Sequence, residues 1–104
     1  SPFKTYPGTE PPILYWVPSI APSGMAQCRK CQWSEWEGDL FVGALSGRKL
    51  MRVKVTGDKV LAQEPLLADL GYRIRDVAFG PDGALYVLTD EAKGRLLRLS
   101  RPAE

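Results

Sequence analysis

Gly38-Asp39-Leu40-Phe41-Val42 recurs as Gly83-Ala84-Leu85-Tyr86-Val87, 45 residues later. Leu50-Met51-Arg52-Val53 recurs as Leu96-Leu97-Arg98-Leu99 with a one-residue slip. Self-similarity at a fixed spacing constrains the fold strongly, because each repeat must be one structural unit that buries its apolar surface against the next. The units are made of short β-prone runs. Residues 50–55 alternate apolar and charged, the period-two mark of a half-buried strand. Thr56-Gly57-Asp58 makes a tight turn, and 59–67 returns as the second arm of a hairpin. Gly80-Pro81-Asp82-Gly83 is a second turn, in which proline fixes φ and glycine accepts positive φ. No segment carries a convincing helical period.

The pattern predicts strands at 24–28, 39–45, 49–55 and 59–67, then at 74–79, 84–89 and 95–99. Four short strands per repeat of this length are the signature of β-propeller blades. The predicted fold is therefore all-β: about two blades, one four-stranded and one incomplete. Residues 1–17 read as an extended arm with a candidate edge strand at 13–17, residues 18–68 as the four-stranded blade, and residues 69–104 as the three-stranded one. A missing strand leaves an unpaired edge, and an unstacked blade leaves an apolar face. The chain is therefore expected to associate with itself, completing its blades in an oligomer, or to pack against a missing N-terminal part of a longer propeller. The arm at 1–17 is a candidate for the missing strand.

Composition excludes several functions. The net charge is +2, and its basic residues are interspersed rather than clustered, so nucleic-acid binding is not expected. No apolar run approaches the length that spans a bilayer. Ser1-Pro2-Phe3-Lys4 has no charged-then-apolar layout, so this chain shows no signal peptide. The chain contains no His, which removes the commonest general base and the usual partner of cysteine around zinc. Cys28 and Cys31 form a C-x-x-C. A redox site expects a βαβ setting that is absent, and zinc needs more ligands than one chain supplies. A local disulfide and two free thiols both remain open. Asp39, Asp76, Asp82 and Asp90 fall at strand ends or turns, where Asp bonds nearby N–H groups. Trp33 and Trp36 read as packing aromatics.

Four segments carry a resemblance. They are Trp16-Val17-Pro18-Ser19-Ile20-Ala21-Pro22-Ser23-Gly24-Met25, Trp36 to Leu45, Arg73-Ile74-Arg75-Asp76-Val77, and Gly80 to Glu91. Together, and in this order, they resemble the late blades of the soluble quinoprotein aldose dehydrogenases, the glucose/sorbosone dehydrogenase family. The resemblance implies a six-bladed propeller longer than this chain, with pyrroloquinoline quinone (PQQ) bound in a cleft beside calcium. It implies an aldose sugar as substrate, oxidised with a His as base, and a periplasmic or secreted protein. It makes Arg73 and Arg75 cofactor-binding, since Arg offers fixed charged donors to carboxylate and quinone oxygens. Residues two apart on a strand point the same way, so both guanidiniums reach one ligand. Asp76 is placed to orient one of them. Ser19 resembles a hydroxyl residue that bonds the cofactor, and Tyr15 or Trp16 an aromatic lining the sugar cleft.

The departures matter equally. Ser46 stands where many members have a quinone-holding Lys, with Lys49 nearby. Gln27 to Trp33 does not resemble the family. The catalytic His and the calcium site belong to its earlier blades. The chain is thus expected to contribute part of the quinone cleft but no catalytic residue and no metal ligand, and by itself to bind neither PQQ nor calcium and to be inactive. The alternative expectation is a non-catalytic, self-assembling blade module for binding or scaffolding.

Overall fold

The computed structural model describes residues 22–44, 49–57 and 59–103. The arm at 1–17, with Tyr15 and Trp16, and also Ser19 and Ser46, lies outside the described residues. The strands are β1 (Pro22–Gln27), β2 (Leu40–Ala44), β3 (Leu50–Thr56), β4 (Lys59–Leu66), β5 (Ile74–Phe79), β6 (Leu85–Thr89) and β7 (Leu96–Leu99). β1 to β4 form one antiparallel sheet in sequence order, and β5 to β7 form a second. Each strand begins within two residues of its predicted start. The helical elements among the described residues are single 3-10 turns at Ser34–Trp36 and Ala68–Leu70. No helix among them is long and apolar enough to cross a membrane.

Antiparallel order sorts the connections into two ends. The β1–β2 loop, the β3–β4 turn and the β5–β6 turn share one end, which we call the loop end. The start of β3, the β4–β5 link and the β6–β7 turn share the other, the arginine end. Hydrogen bonding confirms the first grouping, since the Gln32 amide donates to the Gly83 carbonyl at 3.0 Å. It confirms the second within the three-stranded sheet, since the Asp90 amide donates to the Arg73 carbonyl at 2.8 Å.

The main core lies between the sheets, where β5 packs against β1 and β2. Phe41 and Leu50 from the first sheet meet Ile74, Val77, Leu85 and Val87 from the second, with Cys28 and Trp33 added by the β1–β2 loop. Burying one such large apolar side chain contributes about 1.5–3 kcal/mol. Pairing between β5 and β6 shifts register between Ile74 and Asp76. That bulge lets Ile74 and Val77, three positions apart, both turn inward. The sheets also approach closely at Gly24, where a Cβ would lie 3.0 Å from the Asp76 Cα. Ser23 reaches across the same junction and donates its hydroxyl to the Ile74 carbonyl.

The repeat shows how the faces are used. Phe41 turns toward the second sheet and is fully buried, and its ring meets Phe79 edge-on at 5.4 Å. Its repeat partner Tyr86 turns the other way from Leu85 and Val87, onto the face of the second sheet that points away from the first. There Tyr86, Asp76, Ala78, Leu88 and Leu96 border a groove of about 160 Å³. Leu88 is 38% exposed and Leu96 67%.

Candidate functional site

At the arginine end, Ile74 pairs with Thr89, so Asp90 follows directly opposite Arg73. The Asp90 carboxylate gathers both arginines. Arg75 donates Nε at 3.1 Å and Nη2 at 2.7 Å to its Oδ1, and Arg73 Nη2 lies 3.7 Å from its Oδ2. Two guanidiniums share one carboxylate, and a second carboxylate, Glu91, lines the same cleft. Both arginines are half or more exposed. A third cation stands close by: the Arg95 guanidinium lies 5.3 Å from the Tyr72 ring centroid. Its backbone is pinned, the Arg95 amide donating to Thr89 Oγ1 at 2.8 Å. Leu70, Gly71, Tyr72, Arg73, Asp90 and Glu91 line an open cleft of about 320 Å³.

Arg73 and Arg75 thus come together, but strand periodicity is not what joins them. Arg73 lies just outside β5, Arg75 lies at the bulge, and Asp90 is the common acceptor. Asp76 takes no part. Its Oδ1 accepts from the Val77 amide at 2.9 Å, on the side where Gly24 approaches. Asp90, read from the sequence as a strand-end or turn aspartate, takes both arginines on its carboxylate. Counting the pairing outward from the Gly80–Gly83 turn finds it, because a hairpin sets Arg73 against Asp90. Lys49 sits at this end by topology, its carbonyl accepting the Ala44 amide at 3.1 Å.

The loop end is held differently. Cys28 and Cys31 are joined by a disulfide. The β1–β2 loop is closed by the Cys28 amide on the Asp39 carbonyl and the Gly38 amide on the Cys28 carbonyl. Trp33 and Trp36 stack at 4.9 Å, and Trp36 meets Phe41 at 5.4 Å, so both are packing residues. Asp39 is 1% exposed and binds Arg52 Nη1 at 2.6 Å. Arg52 also holds Glu64 at 3.1 Å and lies 5.5 Å from the Trp36 ring centroid. Burial acts to lower the Arg52 pKa, but its bonds to Asp39 and Glu64 outweigh burial and raise it. In the β5–β6 turn, the Ala84 amide and then the Arg98 guanidinium hold the Asp82 carboxyl below its usual range. Among the described residues, no three His, Cys, Asp or Glu side chains gather as a metal site would require.

Residues 1–98 match the family model described as Glucose / Sorbosone dehydrogenase. Aldose sugar dehydrogenase YliI of Escherichia coli (strain K12) is 50% identical over 93 residues, covering 89% of this chain and 25% of that protein. A solved glucose dehydrogenase matches with a TM-score of 0.80 at 48% identity, over 94% of this chain and 28% of that one. The solved soluble aldose sugar dehydrogenase of Escherichia coli, in its apo-form, matches with a TM-score of 0.77 at 48% identity, over 90% of this chain and 27% of that one. The chain spans about a quarter of the length of the curated relatives it matches. Sequence match, sheet topology and superposition agree: the chain belongs to the glucose/sorbosone dehydrogenase family and forms two blades of its β-propeller.

Proposed function

We propose that this chain supplies the C-terminal wall of the cofactor cleft in a PQQ-dependent aldose sugar dehydrogenase, and that Arg73 and Arg75 hold the quinone's anionic groups. The observation that carries this reading is their convergence on Asp90, exposed and beside the open cleft. The donor set fits such a ligand, since guanidiniums bond carboxylate oxygens with charge-assisted geometry. When bound, the quinone supplies the two-electron oxidant for the sugar. Arg73 and Arg75 orient it, and Asp90 holds Arg75 by two hydrogen bonds and Arg73 by a looser ion pair. Ser19 adds a hydroxyl to the cofactor, and Tyr15 or Trp16 an apolar wall to the sugar cleft. No residue of this chain serves as the base, because the sequence has no His. None is assigned to calcium. The Cys28–Cys31 disulfide supports a periplasmic or secreted setting.

A second reading concerns partners. The Tyr86, Leu88 and Leu96 face is the repeat counterpart of the Phe41 face that the second blade covers. It favours one more blade stacked there, from the rest of a longer chain or from a second copy of this one. Light scattering on the purified chain separates the two sources: a closed oligomer means copies, and a monomer means the longer chain.

The cofactor reading is tested by quinone binding in the protein that carries this chain. Losing one charge-assisted bond removes about 1.5–3 kcal/mol, so the Arg73→Ala/Arg75→Ala pair is expected to weaken PQQ binding by about tenfold or more. Unchanged affinity would sink the assignment. The chain alone, given PQQ and calcium, is expected to show only background dye-linked glucose oxidation.

A further inference from the structure

We infer that the Cys28–Cys31 disulfide is a redox-sensitive clasp that presses the two blades together at the loop end. Its short ring imposes a backbone shape that the loop would not choose unaided. Lys30, inside the ring, has φ +55°, a left-handed conformation uncommon outside glycine. The Lys30 amide is then bound by Glu37 Oε1 at 2.7 Å, so the ring is tied to the far side of its own loop.

The residues just beyond the ring make the contact between blades. The Gln32 amide donates to the Gly83 carbonyl at 3.0 Å, and Gln32 Nε2 donates to the Asp82 carbonyl at 3.0 Å. Gln32 Oε1 accepts the Arg101 amide at 2.9 Å, and Glu35 takes Arg101 Nη1 on both its oxygens. Gly83 makes room for this seat. Its φ is +81°, and a Cβ there would stand 3.1 Å from the Gln32 nitrogen. One loop of the first blade thereby grips both the turn and the tail of the second.

The sulfur environment makes the device slow but addressable. Cys28 is fully buried against the main core, whereas Cys31 is only partly buried. An external thiolate therefore attacks at Cys31 and expels the Cys28 sulfur into an apolar site, where an anion is poorly held. Reduction breaks the one S–S bond. Two electrons and two protons pass from a dithiol, which closes to its own disulfide, and both cysteines are left as thiols. The ring constraint on Lys30 disappears, and Gln32 and Glu35 lose their preset position. The arginine end, on the far side of both sheets, keeps its contacts.

Hydrogen exchange followed by mass spectrometry on the full chain, oxidised and after titration with dithiothreitol, reads this directly. The Gln32 and Arg101 amides are expected to exchange roughly tenfold faster once the bond is opened, while 85–90 is unchanged. Cys28→Ser/Cys31→Ser should show the fast pattern with or without dithiol. Gln32→Ala, with the bond intact, should free the Arg101 amide yet leave the residue-32 amide protected. Equal protection before and after reduction would overturn the clasp, as would an equal rise across both sheets or a bond that stays closed in excess dithiol. Should the double serine variant fail to fold, the dithiol titration of the native chain and Gln32→Ala decide the matter.

Discussion

Asp39 at the loop end is 1% exposed and its partner Arg52 is 16% exposed, whereas Arg73 and Arg75 at the arginine end are 50% and 64% exposed. Both ends contain arginine–aspartate pairs, yet the chemistry differs. Arg52 is committed to Asp39, to Glu64 and to the face of Trp36, with little left to offer a ligand. Arg73 and Arg75 lean on one shared carboxylate and keep N–H groups free toward solvent. The same residue types therefore build architecture at one end and an exposed, loosely held cluster at the other. Burial decides which, because a buried charge must be fully partnered while an exposed one can afford to wait.

Removing the committed arginine breaks this contrast most severely. Arg52→Ala leaves Asp39 buried without its main counter-charge and is expected to cost about 3–5 kcal/mol. Chemical denaturation of the folded chain checks it. A loss under about 1 kcal/mol, the level of an exposed pair, would erase the distinction between the ends. Gly83→Ala should come next. It forces a Cβ into a left-handed turn residue against Gln32, at an expected cost of about 1–3 kcal/mol, read by the same denaturation. A neutral result would mean that the turn adapts and that the interblade seat is soft.

Acid sharpens the contrast by a smaller margin. The Glu35 carboxyl is held below its usual range, first by a hydrogen bond from its own backbone and then by Arg101. Asp82 is lowered first by the Ala84 amide and then by Arg98. A lowered folded value means that the contribution is complete above the unfolded pKa and is lost as pH falls through the folded one. Acidification below about pH 4 should therefore loosen the loop-end contacts. Protection of the Arg101 amide, its exchange rate relative to the intrinsic rate at each pH, is the readout, and protection unchanged down to about pH 3 would contradict it.

The sequence made the strands legible because their residues alternate and their turns are marked by glycine and proline. The packing role of Trp33 and Trp36 was legible in their apolar bulk, whereas the family resemblance singled out Arg73 and Arg75 without showing that one carboxylate gathers them. Asp90 was not legible in that role, because it looks like any turn aspartate until β5 and β6 are paired. The bulge between Ile74 and Asp76 was hidden as well, and it turns Asp76 away from the arginines it seemed placed to orient. Long-range partners, such as Gln32 for Gly83 and Arg101 for Glu35, follow from how blades stack rather than from local pattern. The departure of 27–33 from the family's usual sequence was visible at once, but its role as a grip between blades required the fold.

The smallest effect on stability belongs to the arginine end, and it is the most telling for function. Arg75→Ala removes two hydrogen bonds to Asp90, both at the surface. Exposed pairs of this kind contribute about 0–1 kcal/mol, so the denaturation midpoint should barely move. Asp90→Ala should be nearly as mild in folding, yet it releases both guanidiniums from their common acceptor. If they form an anion site, the two variants must then part company in quinone binding. Losing Arg75 deletes a donor, whereas losing Asp90 raises the local positive charge but lets the donors wander. Arg75→Ala should weaken binding outright, and Asp90→Ala should alter its salt dependence, since unfixed exposed charges act mainly through the screened field. Two variants alike in stability and alike in binding would mean that the exposed cluster is surface decoration, and that the difference between the ends is one of burial alone.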